Sequence, residues 1–217
     1  MKSADWALEN QARGLGFRRI AGIDEAGRGS LAGPVVAGAV ILREDFPSRE
    51  LADSKRLRKA EREKWHRVIH RFSHAVSFAT AGPEEIDNWN ILEATRVAMG
   101  RAVQRLQEDA DLLLIDAVRL EPGNISQVSI TKGDEISISI AAASIIAKVE
   151  RDRIMAKLDR KYPQFHFRTN QGYGTRFHRR VLQEHGPSPV HRASFRPLAD
   201  WTTLSGSPVP PEKGVGF

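Results

Sequence analysis

Cysteine is absent from this sequence of 217 residues, and its absence excludes several kinds of chemistry at once. The chain can form no disulfide, no thiolate zinc site and no cysteine nucleophile, a composition that fits a reducing compartment. Long apolar runs are also missing, since no stretch approaches the roughly 20 residues of a membrane-spanning helix. The early acids Asp5 and Glu9 do not fit a signal peptide. We therefore expect a soluble, cytoplasmic protein with no membrane partner.

Acidic residues are fewer than basic ones, 27 against 33, which gives a net charge of +6 and a pI of about 9.9. A basic total favours a polyanionic partner only weakly, so the distribution of the charge is more informative. Residues 160–196 contain eight lysines and arginines against one acid, Glu184, and four of the seven histidines. Such a basic segment is suited to holding a nucleic-acid backbone.

The length of the chain and its 41% content of hydrophobic residues predict one domain with a sizeable core. We assign residues 1–200 to this domain, including a basic helical C-terminal part. Residues 201–217 are rich in serine, glycine and proline from Leu204 onward, and we expect them to form a flexible tail.

Hydrophobic periodicity predicts strands that alternate with helices. The expected strands are 18–25, 35–42, 74–81, 112–115 and 125–130. The expected helices are 4–13, 58–72, 84–88, 91–108 and 176–184. Residues 136–140 alternate like a strand, but residues 141–161 are strongly helical, so we predict one long helix from about residue 137. This order indicates an α/β domain with a mixed sheet flanked by helices.

Residues 20–38 contain the motif on which the functional interpretation depends. An apolar run ends on the adjacent acids Asp24 and Glu25, and a glycine turn with one arginine follows at 27–29. Neighbouring side chains of a strand point to opposite faces, so we expect the strand to stop at the acids if both bind one ion. Carboxylates suit magnesium or manganese, and glycines let backbone N–H groups approach a phosphate or sugar. A surface hairpin with solvated acids is the alternative from this stretch alone.

Two further acids, Asp116 and Asp134, stand beside apolar sequence at predicted ends of elements. Taken singly, Asp116 is typical of a loop residue that closes a strand, and Asp134 of a helix N-cap. Strand ends are where α/β sheets expose functional groups, so the joint placement with Asp24 and Glu25 favours one cluster. Two unit charges about 4 Å apart repel by roughly 4 kcal/mol at an effective dielectric near 20. Four clustered carboxylates therefore need divalent metal or bound protons.

The sequence resembles ribonuclease HII from about Trp6 to Pro197, through a series of motifs in matching order. Beyond the Asp24-Glu25 motif these are Asp53-Ser54-Lys55, Ile86-Asp87, Leu114-Ile115-Asp116, Lys132-Gly133-Asp134, the segment from Ser139 to Val149 with Arg151-Asp152, Gly172-Tyr173-Gly174-Thr175, and His191-Arg192 with Ser194-Phe195. One departure is Ser30, which stands where family members often have proline.

This resemblance implies a ribonuclease H-like fold and an endonuclease that hydrolyses the RNA strand of RNA/DNA hybrids. It also implies nicking on the 5′ side of single ribonucleotides in duplex DNA, with 3′-hydroxyl and 5′-phosphate products. The implied cofactors are two divalent ions, Mg²⁺ or Mn²⁺. Their implied ligands, which are also the catalytic residues, are Asp24, Glu25, Asp116 and Asp134.

The resemblance also implies how the substrate is recognised. The turn that would read the ribonucleotide 2′-hydroxyl consists of Gly27, Arg28 and Gly29. Tyr173 would pack on the deoxyribose just beyond, where a ring disfavours an extra 2′-hydroxyl. Lys55 and the basic residues of 176–180 are candidate phosphate contacts, although each alone is also consistent with a solvated charge.

Ribonuclease HIII is the nearest alternative, but that family usually has an extra N-terminal domain and lacks the arginine of the glycine turn. This chain has Arg28 and Tyr173, and it starts about 20 residues before Asp24. A non-catalytic nucleic-acid-binding module is the alternative from another class, and the presence of all four acids disfavours it.

We expect a monomer. The ending from Lys213 to Phe217 resembles a sliding-clamp peptide too weakly to predict that partner, because the glutamine and paired aromatics are missing.

Overall fold

A computed structural model describes residues 4–48, 51, 57–106, 109–121 and 124–200. The five strands are β1 (Ile20–Ala26), β2 (Val35–Leu42), β3 (Ser73–Ala81), β4 (Leu112–Asp116) and β5 (Ser126–Ile130). They form one sheet in the order β3-β2-β1-β4-β5. β1 is antiparallel to β2 and parallel to β4, so the predicted mixed sheet is confirmed. The parallel pairing places the ends of β1 and β4 at the same edge.

The described helices lie around this sheet. They are α1 (Ala7–Gly14), α2 (Lys59–Arg71), α3 (Pro83–Trp89), α4 (Ile91–Gln104), α5 (Ile138–Lys161), α6 (Phe167–Asn170) and α7 (Arg176–His185). α4 covers one face through its contacts with β2 and β3, and α5 covers the other through β1 and β2. No helix among the described ranges is both long enough and apolar enough to cross a membrane.

The helix α5 lies unusually close to the sheet because glycines face it. A Cβ atom on Gly22 would stand 2.1 Å from the carbonyl carbon of Ser139, and one on Gly38 would stand 2.5 Å from the carbonyl oxygen of Ala143. Small residues on the helix complete this fit, since Ala141 and Ala142 are fully buried. The close contact brings the helix across β1, the strand that carries Asp24 and Glu25 near its end.

The start of α5 confirms the predicted long helix. Ser137 is the N-cap, and its side chain accepts a hydrogen bond from the Ile140 N–H. The buried Glu9 supports the same turn, because its carboxylate accepts from the Ser137 hydroxyl at 2.6 Å and from the Ser139 N–H at 3.0 Å. These hydrogen bonds satisfy polar groups of the first turn of α5, and they favour a helix over a strand at 136–140.

Two boundaries differ from the predictions by three residues or more. α1 begins at Ala7 and not at residue 4, because Asp5 pairs in extended conformation with Ser137. α4 ends at Gln104, before the predicted end at residue 108. The C-terminal part also contains two helical turns that were not predicted, Pro163–Phe165 and α6. The left-handed residue His166 separates these turns, so neither is long enough to show a helical period.

Candidate active site

Three acids from two parallel strands meet at one edge of the sheet. Asp24 and Glu25 lie near the end of β1, and Asp116 is the last residue of β4. The register pairs Ile23 with Ile115, so the acids that follow lie side by side. Each of the three side chains offers a carboxylate oxygen, and these oxygens all lie within 4.8 Å of one another.

The expected stop of the strand at the acids is wrong. β1 continues through Ala26 and stays paired with β2, with Glu25 opposite Ala37. The two acids converge all the same, and a local hydrogen bond helps, because the Glu25 N–H donates to Asp24 Oδ1 at 2.7 Å. That bond holds the Asp24 carboxylate beside the backbone of Glu25.

The electrostatics of the cluster are unfavourable for two bare carboxylates. Burial raises the pKa of Asp24 well above its ordinary range, and the neighbouring charges of Glu25 and Asp116 raise it further, against a hydrogen bond from Ser144. Burial also raises the pKa of Glu25, although Arg28 opposes the change. Glu25 Oε2 is buried and accepts no hydrogen bond from any residue of the described ranges. These groups are suited to a cation that neutralises them.

The fourth predicted acid, Asp134, lies on the wall of the same cavity as Glu25 but outside the group of three. It is buried in the helical turn Gly133–Glu135, just before α5. Its neighbour Gly133 connects it to the cluster, because the Gly133 N–H donates to Asp116 Oδ1 at 2.6 Å. The structure therefore brings three of the four predicted acids together and places the fourth beside them.

The cavity next to these acids has a volume of about 480 Å³. Its lining combines acids, the glycine turn and basic side chains: Glu25, Ala26, Gly27, Arg28, Gly29, Arg62, Asp134, Ser144, Ile145, Lys148 and Tyr173. Arg62 and Lys148 were not predicted as site residues. Lys148 lies one helical turn after Ser144 on α5, and that i, i+4 spacing within the long helix is the signal that could have identified it.

The glycine turn requires glycine at its first position, Gly27. Gly27 has φ +94°, and a Cβ atom there would stand 2.0 Å from Nε of the buried Arg151. Gly29 is exposed, and a Cβ atom there would meet nothing within 4 Å. The N–H groups of Arg28 and Gly29 have no hydrogen-bond acceptor among the described residues. Two backbone donors are thus available beside open space.

Tyr173 lies in the second glycine loop and is held against the first. The Leu31 N–H donates to the carbonyl of Gly172 at 2.8 Å, and a Cβ atom on Gly172 would stand 2.4 Å from the carbonyl oxygen of Ala32. Tyr173 is 42% exposed, and its ring lines the cavity. Its centroid lies 5.7 Å from the guanidinium carbon of Arg151. An apolar ring and two free N–H donors therefore border one space.

The remaining predicted contacts are Lys55 and the basic residues of 176–180. Lys55 falls outside the described residues, as do residues 201–217. The basic segment forms a separate groove on α7, lined by Arg176, Phe177, Arg179, Arg180 and Gln183. The guanidinium carbon of Arg180 lies 5.5 Å from the centroid of the Phe177 ring.

Comparison with known proteins places these observations in a family. The family model of ribonuclease HII matches residues 21–198. Ribonuclease HII of Desulfitobacterium hafniense (strain DCB-2) is 51% identical over 183 residues, which cover 84% of this chain and 70% of that protein. Ribonuclease HII of Chloroflexus aggregans is 45% identical over 210 residues, which cover 94% of this chain and 99% of that protein.

Two solved structures resemble the fold over most of its length. The ribonuclease H2 of Pyrococcus horikoshii is similar with a TM-score of 0.73 and 25% identity, covering 86% of this chain and 98% of its own. The RNase HII of Archaeoglobus fulgidus, solved in a complex with PCNA, gives a TM-score of 0.71 and 28% identity, covering 82% and 96%. These similarities confirm the predicted ribonuclease H-like fold.

Proposed function

The chain belongs to the ribonuclease HII family, and on that premise we propose that it nicks duplex DNA on the 5′ side of single ribonucleotides as well as hydrolysing the RNA strand of RNA/DNA hybrids. The observation that carries the proposal is the meeting of Asp24, Glu25 and Asp116 at the same cavity as the glycine turn and Tyr173. Acids suited to cations and groups suited to a sugar thus border one space.

The acid cluster fits the two divalent ions, Mg²⁺ or Mn²⁺, that we propose as cofactors. Three carboxylate oxygens within 4.8 Å, one of them on the buried Asp24, favour a divalent cation. The unpartnered Oε2 of Glu25 gives a further ligand atom. We assign Asp24, Glu25 and Asp116 as ligands, with Asp134 joining them from the cavity wall. When bound to these residues, divalent ions would activate the attacking water and stabilise the leaving oxygen.

The proposed reaction is a hydrolysis at phosphorus. The oxygen of water bonds to the phosphorus atom, the P–O3′ bond breaks, and the departing O3′ takes up a proton. The products are a 3′-hydroxyl on the upstream DNA and a 5′-phosphate on the ribonucleotide. The protein's own groups hold the backbone in place, and Lys148 and Arg62 are suited to phosphates near the reacting one because they line the same cavity.

Sugar recognition follows from the glycine turn. The free N–H groups of Arg28 and Gly29 can donate to a 2′-hydroxyl, the one group that distinguishes RNA from DNA at a single sugar. Tyr173, exposed beside them, can pack on the adjacent deoxyribose. We propose these residues together with Gly27 as the substrate-binding group, and we keep Lys55 as a proposed phosphate contact. The groove on α7 is suited to a more distant part of the backbone.

Two further questions are the oligomeric state and a sliding-clamp partner. We propose that the chain acts as a monomer, which sedimentation of the free protein would test. The complex with PCNA is a property of the Archaeoglobus protein. In this chain the residues that would form such a peptide lie beyond residue 200, outside the described ranges, so we propose no clamp partner.

A nicking assay tests the proposal. The full chain is incubated with Mg²⁺ or Mn²⁺ and a DNA duplex that contains one ribonucleotide, and the product ends are identified. We expect a single nick 5′ of the ribonucleotide with 3′-hydroxyl and 5′-phosphate ends. A shifted but intact duplex would instead indicate a binding module. Efficient cleavage of a continuous hybrid with poor cleavage at one ribonucleotide would indicate the specificity of ribonuclease HIII.

A further inference from the structure

The guanidinium of Arg192 holds the backbone of the glycine turn from inside the protein. Arg192 is fully buried, and its Nη2 donates to the carbonyl of Gly27 at 2.7 Å. Its Nη1 donates to the carbonyl of Arg28 at 2.8 Å, and its Nε to that of Gly33 at 3.0 Å. A planar fork of five donors can make these bonds at once, whereas a lysine ammonium of similar charge cannot.

The bonds to Gly27 and Arg28 determine where the turn's own donors point. In a trans peptide the carbonyl of one residue and the N–H of the next point in opposite directions. Because Arg192 holds the carbonyls of Gly27 and Arg28, the N–H groups of Arg28 and Gly29 point away from it. These are the two donors that have no acceptor among the described residues. Arg192 therefore presents the atoms that would meet a 2′-hydroxyl.

The preceding residue, His191, acts on the other recognition loop. The Ser188 N–H donates to His191 Nδ1 at 3.0 Å, so the neutral ring carries its proton on Nε2. That Nε2 lies 3.0 Å from Nε2 of His178, which then accepts, and His178 Nδ1–H donates to the carbonyl of Tyr173 at 2.9 Å. Burial lowers the pKa of both rings, that of His191 to about 3, which keeps the neutral relay in place at pH 7.

The backbone joins the two loops directly. The Arg192 N–H donates to the carbonyl of Leu31 at 2.9 Å, and the Leu31 N–H donates to the carbonyl of Gly172 at 2.8 Å. The Gly33 N–H donates to the carbonyl of Val190 at 2.8 Å. The segments 27–34, 172–175 and 188–192 therefore form one hydrogen-bonded unit, with the dipeptide His191-Arg192 between its two recognition loops.

We propose that His191 and Arg192 are positioning residues for sugar recognition, which set the distance and orientation between the glycine turn and Tyr173. Arg192 directs the donors of the turn, and His191, through His178, fixes the backbone that carries the ring. This inference rests on the proposed function. It assigns the dipeptide a role in choosing the ribonucleotide and not in holding Asp24, Glu25 and Asp116, which are carried by β1 and β4.

The test compares two substrates in one set of variants. The readout is the ratio of kcat/KM on a duplex with one ribonucleotide to kcat/KM on a continuous RNA/DNA hybrid. In the hybrid every sugar of the RNA strand carries a 2′-hydroxyl, so misplacement of the turn should lower the cleavage rate less on that substrate. We expect Arg192→Lys to lower the ratio by about tenfold or more, because displacement of about 1 Å can cost a factor of about 100. Metal binding measured by calorimetry should remain.

A matched control separates positioning from loss of stability. Leu198 is buried in the same C-terminal core as Phe165 and Phe167 but makes no hydrogen bond to either loop. Leu198→Ala should lower the melting temperature and leave the ratio unchanged. His178→Phe keeps an aromatic ring against Phe165 and Phe167, loses the bond to Tyr173 and should lower the ratio. This variant carries the test if Arg192→Lys does not fold.

A double-mutant cycle measures the coupling between Arg192 and the recognition residues in this ratio, which a general effect on stability would not produce. If Arg192 acts through the turn, Arg192→Lys should change the ratio less in a Gly29→Pro, Tyr173→Ala background, which lacks the Gly29 N–H donor and the ring. An unchanged ratio in folded Arg192→Lys and His178→Phe, or full additivity in the cycle, would overturn the inference. Absence of nicking by the wild-type protein would instead overturn the proposed function.

Discussion

Arg28 Nη1 lies 3.2 Å from Glu25 Oε1, and this ion pair joins the glycine turn to the acid cluster. The side chain of Glu25 is 8% exposed and that of Arg28 is 41% exposed, so one partner faces the acids and the other reaches toward the cavity mouth. Burial raises the pKa of Glu25, and Arg28 is the group that opposes this change most. Arg28 thus contacts both the proposed metal ligands and the proposed sugar site.

This pair leads to a prediction about Arg28. We expect Arg28→Ala to reduce cleavage at a single ribonucleotide by about 10- to 100-fold and cleavage of a hybrid much less, because the guanidinium beside the sugar site is lost while the acids and the backbone donors of the turn remain. Arg28→Lys keeps a positive charge beside Glu25 and should retain more activity than Arg28→Ala on both substrates. Steady-state rates on the two substrates provide the measurement. Equal loss on every substrate would contradict the assignment.

Tyr173 allows a second, independent prediction about specificity. The ring is exposed and borders the cavity, so its loss leaves the core intact. We expect Tyr173→Ala to reduce nicking at a single ribonucleotide by about tenfold or more, with a melting temperature close to that of the wild type. Tyr173→Phe keeps the ring and should behave like the wild type. Loss of activity in Tyr173→Phe would show that the hydroxyl, and not the ring, is required.

We expect Asp116 and Asp134 to contribute more to kcat than to the affinity for the duplex. Asp116→Asn and Asp134→Asn should lower kcat by about 100-fold or more, since each removes a charge that the reaction requires. In Asp116→Asn the amide oxygen of the new side chain can still accept from the Gly133 N–H, so the fold around the site should persist. Gel-shift titration should give an affinity for the duplex close to that of the wild type. A parallel loss of binding would indicate a structural role for these acids.

Asp24 gives a prediction that separates stability from metal binding. In metal-free protein, Asp24→Asn removes a buried charge next to Glu25 and Asp116, so the free energy of unfolding should rise by about 1 kcal/mol or more. The same variant should bind Mn²⁺ more weakly in calorimetry, because it loses a ligand. Unchanged metal affinity in Asp24→Asn would argue against the proposed centre.

The buried histidines predict how stability depends on pH. The folded pKa of His191 is about 3, below the ordinary value of 6.5, so the unfolded chain binds more protons between these values. The contribution of the neutral His191 ring to the free energy of unfolding is complete above about pH 6.5. It is lost as the pH falls below that value, by about 1.4 kcal/mol per pH unit. The free energy of unfolding, measured with urea from about pH 8 to about pH 5, should depend less steeply on pH in His191→Gln than in the wild type. Identical slopes would exclude this role for His191.

Much of the fold could be predicted from local pattern. β2 has the predicted bounds, and the all-apolar run that ends on Asp116 is a central strand, as its composition favours. The start of the long helix was also correct, although five residues alternate there. In that region the cap by Ser137 and the buried Glu9 decide between the two patterns.

The residues of the site could be predicted, but the contacts that hold them in place could not. Asp24, Glu25 and Asp116 were predicted to lie together, yet the strand that carries the first two does not stop where expected. Arg192 reaches the Gly27 carbonyl across 165 residues of sequence, and a lone arginine in a basic segment carries no local sign of that contact. Such contacts depend on how the C-terminal part packs, which periodicity does not describe.

Anomalous diffraction from crystals of the full chain soaked with Mn²⁺ is the most direct test of the proposed metal centre. We expect manganese at the edge of the sheet, within ligand distance of Asp24, Glu25 and Asp116, with two ions when substrate is present. Manganese bound elsewhere, or none at these carboxylates in a protein that requires Mn²⁺ for nicking, would contradict it.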